Sequence, residues 1–496
     1  MENSRRTVFI VVAVLLVGCL CVIIVGAGIT GLFFPFERVM GLLAPGEPTV
    51  VAQEIATEMP TQIPSEPTKA ASNPSPSPTS GEIENSPTDI PTQAPTPVPI
   101  PPDIAVQMDD IEEQVILLRK LQPSGDVIRS LLSRDQLRQK IEQDFFEDYS
   151  QEEAREDVIV LSALGLLNPD FDMFTFYKDL LSEQIAGQYD QKSKEMDVVQ
   201  DTGFGGPERF TYAHEYTHAL QDQNFDIENG LNYSSESCEI DSERCAAVQA
   251  LLEGDASLLQ WDWFTNFATP QDLSELQAFY EDYEGPVMES APDYLSEDFL
   301  FPYVYGEAFV EYLFNTGGWE AVNAAYRDVP VSTEQILHPE RYPDDRPVEV
   351  LIPDLVEILG EPWQELDTGV MGEWYTYLIL AHGRDPNARL DDIEAQIASE
   401  GWGGDVYLVL NNEQDGTVLL VMHTSWESEN DARQFFDAFS KHSTVRFGNP
   451  SNTEGDHTTW TSALGVTDLT IQDEYTTWIL APDEATAVLA RSAIWP

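Results

Sequence analysis

The stretch Phe210-Thr-Tyr-Ala-His-Glu-Tyr-Thr-His-Ala-Leu-Gln-Asp-Gln223 contains the pattern His-Glu-x-x-His at His214, Glu215 and His218. On a helix, residues four apart lie one above the other on the same face. Two imidazoles so placed can share one tetrahedral Zn²⁺. Glu215, beside the first of them, is positioned to take a proton from water on the metal. Phe210, Tyr212, Ala213, Tyr216, Ala219 and Leu220 make the helix mostly apolar, as a buried metal helix requires. The competing reading is a helix with two polar-face histidines and an ordinary acid. A third ligand separates the two readings.

A catalytic zinc site needs three protein ligands and an open position. The candidate is Glu253, in Ala250-Leu-Leu-Glu-Gly-Asp-Ala256, on a second helix that returns antiparallel. Asp255 is the competitor. It lies two residues on, so it points to a different helix face, where it would support a ligand instead. Gln221 and Asp222 fall one turn after His218, where either can orient a histidine ring. Plain surface polarity is the alternative for both.

Further strings extend the pattern: Ala186-Gly-Gln-Tyr-Asp190, Leu252-Glu-Gly-Asp-Ala256, Ser332-Thr-Glu-Gln-Ile-Leu-His-Pro339 and Gly401-Trp-Gly-Gly-Asp405. Together with His-Glu-x-x-His they resemble the zincin metallopeptidases of gluzincin type, whose third ligand is a downstream glutamate. More narrowly, they resemble a poorly characterised group of membrane- or surface-anchored zincin-like proteins. The resemblance implies one Zn²⁺ on His214, His218 and Glu253, with Glu215 as base. It implies no known substrate. The thermolysin-type pattern has an Asp four residues beyond its ligand Glu; here that position is Ser257. Ile185 to Val199 reads as two short strands about a turn. In the zincin resemblance an edge strand here lines the substrate cleft and offers free backbone groups to an extended peptide. Peptide hydrolysis also builds negative charge on the carbonyl oxygen, which a His or Tyr donor stabilises beside the metal. His338, Tyr303 and Tyr305 are the candidates; each is otherwise a buried side chain with satisfied hydrogen bonds.

The 496 residues are enough for more than one domain, and the formal charge is -62, from 87 acids and 25 bases. Phosphates would be repelled, which argues against nucleic acid as a partner. The acids are scattered, as on a solvated face. Cys238 and Cys245 lie close together in one polar segment, the pattern of a short-loop disulfide outside the cytoplasm; two free thiols are the alternative. Cys19 and Cys21 lie in the apolar N-terminal run.

That run, Val8 to Phe34, carries no charge and exceeds the roughly 20 residues needed to span a bilayer. Arg5 and Arg6 precede it, which predicts a cytoplasmic N-terminus, a single-pass cell-membrane anchor over 1–36 and an exported bulk. A cleaved signal peptide and a lipoprotein anchored at Cys19, in Leu16-Val-Gly-Cys19, are the alternatives. Residues 37–102 are rich in Pro, Thr and Ser and read as a disordered stalk. The expected fold is α+β. A mainly helical zincin-like domain with a small sheet spans 103–384, and a strand-rich α+β module spans 385–496. Helices are expected over 104–122, 126–146, 151–166 and 173–186, the metal helix over 208–222, and the Glu253 helix over 243–268. A strand is expected over 346–356. Asp405 reads as a turn residue after glycines, or else a ligand site.

The expected function is therefore a membrane-anchored, extracytoplasmic zinc metallopeptidase acting on a peptide or protein substrate. A non-catalytic cell-surface interaction protein that keeps the fold is the rival. A zinc hydrolase acting on another bond is a third reading.

Overall fold

The computed structural model describes residues 99–496, apart from 185, 200–202, 283–284 and 496. The expected anchor and stalk lie outside the described residues. Helix α1 (Pro102–Arg119) begins with proline in its first turn, where the missing N–H costs nothing, and ends as Lys120 turns left-handed at φ 62°. The helix expected over 126–146 is interrupted. Ile128–Leu132 is strand β1, and Ser133 with Gln136 forms a capping box that starts α2 only at Arg134, running to Asp148. A second capping box, Ser150 with Glu153, opens α3 (Gln151–Leu164), which stops at Gly165 with φ 93°. Helix α4 (Met173–Gln184) leads to the expected hairpin, β2 (Gly187–Asp190) and β3 (Glu195–Val199). Strand β1 pairs parallel with β3, giving the order β1-β3-β2 with β2 at an edge.

Two buried helices follow. In α5 (Gly206–Phe225) every residue from Phe210 to Asp222 is buried, so the helix is sheathed all round. Cys238 and Cys245 are disulfide-bonded, and Asp241 caps α6 (Ser242–Phe267) by accepting from the Arg244 N–H. Helix α6 runs antiparallel to α5: Gln221 reaches the Leu252 carbonyl, and Gln260 reaches that of Phe210. Helix α7 (Pro270–Asp282) packs on α5 through an Arg209–Asp272 ion pair. Helix α8 (Asp293–Ala325) kinks at Gly317 and Gly318, where the two glycines leave helical geometry. It crosses α6 with backbones touching. A Cβ on Gly306 would lie 2.2 Å from the Ala250 carbonyl oxygen, and one on Gly254 2.1 Å from that of Gly306. The short helix α9 (Thr333–Leu337) follows, capped by Ser332.

The strand expected over 346–356 does not form. The chain is irregular there and then makes a short helix, Leu355–Leu359. The elements that follow are β4 (Trp363–Gly369), α10 (Gly372–Ala381), α11 (Asp392–Ser399), β5 (Trp402–Asn412), β6 (Val418–Trp426), α12 (Glu429–Phe447), β7 (Asn452–Glu454), β8 (His457–Ser462), β9 (Gly465–Gln472), β10 (Tyr475–Ala481) and α13 (Glu484–Ile494). The strands form one antiparallel sheet in the order β4-β5-β6-β10-β9-β8-β7. Its first strand therefore lies upstream of the expected module start at 385. On one face Leu408, Leu410, Leu419, Val421 and Ile479 meet Ala487 and Ala490 of α13. On the other, Phe439 of α12 packs on Trp478, the neighbour of Ile479, as a two-residue side-chain period demands. The fold is thus α+β, a helical N-terminal region and a seven-stranded C-terminal sheet. Among the described residues no helix is long and apolar enough to cross a membrane.

Candidate metal centre

His214 and His218 project from one face of α5, and Glu253 projects from the antiparallel α6. Their ligating atoms converge. The two Nε2 atoms are 3.0 Å apart, and Glu253 Oε2 lies 3.1 Å from that of His214 and 3.4 Å from that of His218. All three side chains are buried. A Zn²⁺ with bonds of about 2.0–2.1 Å to tetrahedral ligands spaces neighbouring ligand atoms by roughly 3.3–3.4 Å, so the arrangement fits such an ion closely. Burial alone lowers the His218 pKa, but the Glu253 carboxylate more than offsets it, and the pKa rises to about 9. Burial likewise pushes Glu253 up, yet the two imidazoles outweigh it and hold the carboxyl below its usual value. Both shifts mark a site that favours positive charge between these groups.

Glu215 is close enough to raise the His218 pKa as well. Its Oε2 accepts the backbone N–H of Tyr189 at 2.7 Å, which ties the metal helix to β2. Gly187 permits this approach, because a Cβ there would lie 2.6 Å from Thr211 Cγ2 and 3.5 Å from Glu215 Cγ. Strand β2 is the edge strand expected, but at Tyr189 its outward N–H is already taken by Glu215.

The residues around the ligands differ in part from expectation. Asp222 does not orient a histidine; its carboxylate takes the Tyr189 hydroxyl at 2.8 Å and the Lys194 ammonium at 2.6 Å. Gln221 takes the orienting place, 2.8 Å from His218 Nδ1. Asp255 lies behind Gln221 and pairs with Arg119. His214 Nδ1 has no hydrogen-bond partner among the described residues. Tyr233, absent from the sequence-based candidates, is fully buried; burial and then the Glu253 charge push its phenol pKa well up. No local pattern marks that tyrosine.

Tyr305 and His338 are not brought to the triad. Tyr305 packs on Phe301 and Trp374, with ring centroids 5.5 and 5.2 Å away. His338 Nε2 pairs with Glu373 at 2.9 Å. Helix α9, which leads into His338, docks where Thr333 meets Glu243. Glu243 precedes Glu253 on α6 by nearly three turns, about 15 Å of helix rise. Asp405 is neither turn residue nor ligand site. It accepts the N–H groups of Met371 and Gly372 and so caps α10. A second carboxylate cluster, Glu334, Asp345 and Glu427, is already bridged by Arg341 at 2.8, 3.6 and 3.1 Å.

A family model described as a domain of unknown function (DUF8575) matches residues 360–490. That span holds the sheet module and none of His214, Glu215, His218 and Glu253. No curated protein and no solved structure matches the chain.

Proposed function

We propose that the protein is a zinc metallopeptidase of gluzincin type, held at the outer face of a membrane by the apolar run Val8 to Phe34. The observation that carries the reading is the convergence of His214, His218 and Glu253 at ligand spacing, with Glu215 one residue from the first ligand. Bound there, Zn²⁺ supplies a Lewis acid that polarises a peptide carbonyl and makes water acidic. Glu215 takes the proton from the attacking water and passes it to the leaving amine. The Tyr189 N–H holds Glu215 Oε2, so the carboxylate does not swing away from the reacting water. A pocket of about 530 Å³, lined among others by Tyr189, Lys192, Asp222 and Asp226, adjoins β2 and has room for a substrate side chain.

The test is zinc analysis of the purified full chain beside peptide-library cleavage, with Glu215→Gln as control. One zinc per chain, and cleavage that the variant abolishes, is the expected result. Zinc without cleavage of any library peptide overturns the peptidase and leaves the surface interaction protein. A chain that takes up no zinc overturns the metal centre itself.

A further inference from the structure

We infer that Arg119, Asp255 and Gln221 form a buried relay that holds His218 as the Nδ1–H tautomer, which makes α1 a working part of the metal centre. The inference rests on the metal-centre reading above and goes beyond it to a segment distant in sequence.

The Gln221 amide has one orientation that its neighbours accept. Its Nε2 lies 3.0 Å from the Leu252 carbonyl oxygen and 3.2 Å from Asp255 Oδ2. Both are acceptors, so the NH₂ group must face them and Oε1 must face His218. At 2.8 Å from Oε1, His218 Nδ1 can only be the donor. The proton is thereby fixed on Nδ1, and Nε2 carries the lone pair that a metal needs. A flipped amide would put Oε1 against a carboxylate and a carbonyl.

Asp255 is held at that distance from Gln221 by buried donors of its own. Arg119 supplies the counter-charge as a fork, Nε to Oδ1 at 2.7 Å and Nη2 to Oδ2 at 3.0 Å. The Tyr326 hydroxyl donates to Oδ2 at 2.7 Å. Arg119 is itself held, by Asn323 Oδ1 at 2.8 Å and by the Trp319 ring 4.4 Å away. Arg119 and Asp255 are both fully buried. Without the guanidinium the buried Asp255 loses both arms of that fork and is no longer held against Gln221 Nε2. Gln221 then keeps only the Leu252 carbonyl to fix its amide, and its hold on His218 Nδ1 loosens. Arg119 is the last residue of α1, the helix that directly follows the proline-rich segment. A chain lacking α1 would lack the counter-charge of the metal support.

The experiment uses the full chain and measures zinc affinity by chelator competition, the visible absorption of the Co²⁺-loaded protein, and thermal melting of the metal-free protein. Arg119→Met and Gln221→Leu are each expected to weaken zinc binding by about ten- to a hundredfold and to change the Co²⁺ spectrum. Arg119→Lys, which keeps the charge but not the fork, is expected to recover part of the loss. Gln221→Leu leaves the ion pair intact and decides the matter if Arg119→Met does not fold. A purely structural ion pair would lower the melting temperature and leave affinity and spectrum at wild-type values; that result, with zinc bound by the wild type, overturns the relay and spares the metal centre. A wild type that binds no zinc overturns both.

Discussion

Glu215 and the two histidines occupy one helix face, yet each is governed by a different neighbour. The carboxylate is tied by the Tyr189 N–H, His218 by Gln221, and both imidazoles by Glu253. Separate substitutions should therefore separate metal binding from chemistry. Glu215→Gln keeps the volume and can still meet an N–H through its carbonyl oxygen, but it cannot take a proton. It should lower peptide turnover at least about 10²-fold with zinc content unchanged, read by metal analysis beside steady-state kinetics. Glu253→Gln removes the anionic ligand and leaves two imidazoles; zinc should be lost on dialysis at a chelator concentration that the wild type withstands. Retention of zinc by that variant would remove Glu253 from the ligand set. At this scale the pattern His-Glu-x-x-His was readable because helix geometry alone aligns its two rings. Gln221 and Asp222 were equal candidates from sequence, because both fall one turn beyond His218. The choice between them follows from their neighbours: α6 faces Gln221, and the β2–β3 hairpin takes Asp222.

Among the elements, two close approaches set where the metal helices lie. Gly306 of α8 rests on α6 beside Ala250, one turn before Glu253. Gly306→Ala places a methyl against backbone that cannot yield, so α6 must shift or the protein must unfold. The expected cost exceeds the roughly 1–3 kcal/mol of ordinary overpacking, with zinc affinity lost together with stability; denaturant titration and chelator competition read the two. Gly187 of β2 meets a softer neighbour, the Thr211 methyl. Gly187→Ala should cost about 1–3 kcal/mol, and adding Thr211→Ser, which deletes that methyl, should restore most of it. No recovery in the double variant would mean that the Asp197 carbonyl, 3.3 Å from the same Cβ, sets the limit. The helices opened by Ser133 and Ser150 carry capping boxes within four residues, a signal that local sequence displays. Strand β1 carries no comparable signal. Its residues become a strand because β3 offers them a parallel partner, which no local window contains.

For the whole molecule, buried carboxylates set the response to pH. Burial raises the pKa of Asp298 and of Asp405 to about 6 each, although Trp374 and Tyr375 donate to the first and Met371, Gly372 and Trp402 to the second. An unfolded aspartate titrates near ~3.9. The folded state therefore holds these protons more tightly. The stabilisation is fully present below about pH 4 and is lost as pH rises through about 6. Carboxyls with lowered pKa, such as Glu253 and Glu275, act in the opposite sense, but their losses fall below pH 4.5, the upper end of their range. His442, His423 and His382, whose pKa burial lowers, act the other way in the same window, so the test is the difference between two proteins: from pH 4.5 to 7 the combined Asp298→Asn and Asp405→Asn variant should lose less melting temperature than the wild type. The general repulsion of a chain with a formal charge of -62 acts in both proteins, so an unchanged slope in the variant would refute the assignment.

The His-Glu-x-x-His pattern, the hairpin at residues 187–199, the Cys238–Cys245 pair and the α+β class were all visible in the order of residues, because each depends on periodicity or spacing within a short reach. The position of β4 at the sheet edge, the pairing of His338 with Glu373 and of Tyr305 with Trp374, and the support of His218 by an arginine at the end of α1 were not. These depend on which distant groups share a dry interior. There a charge must find its partner wherever the chain happens to bring one, and packing makes that choice where local pattern cannot.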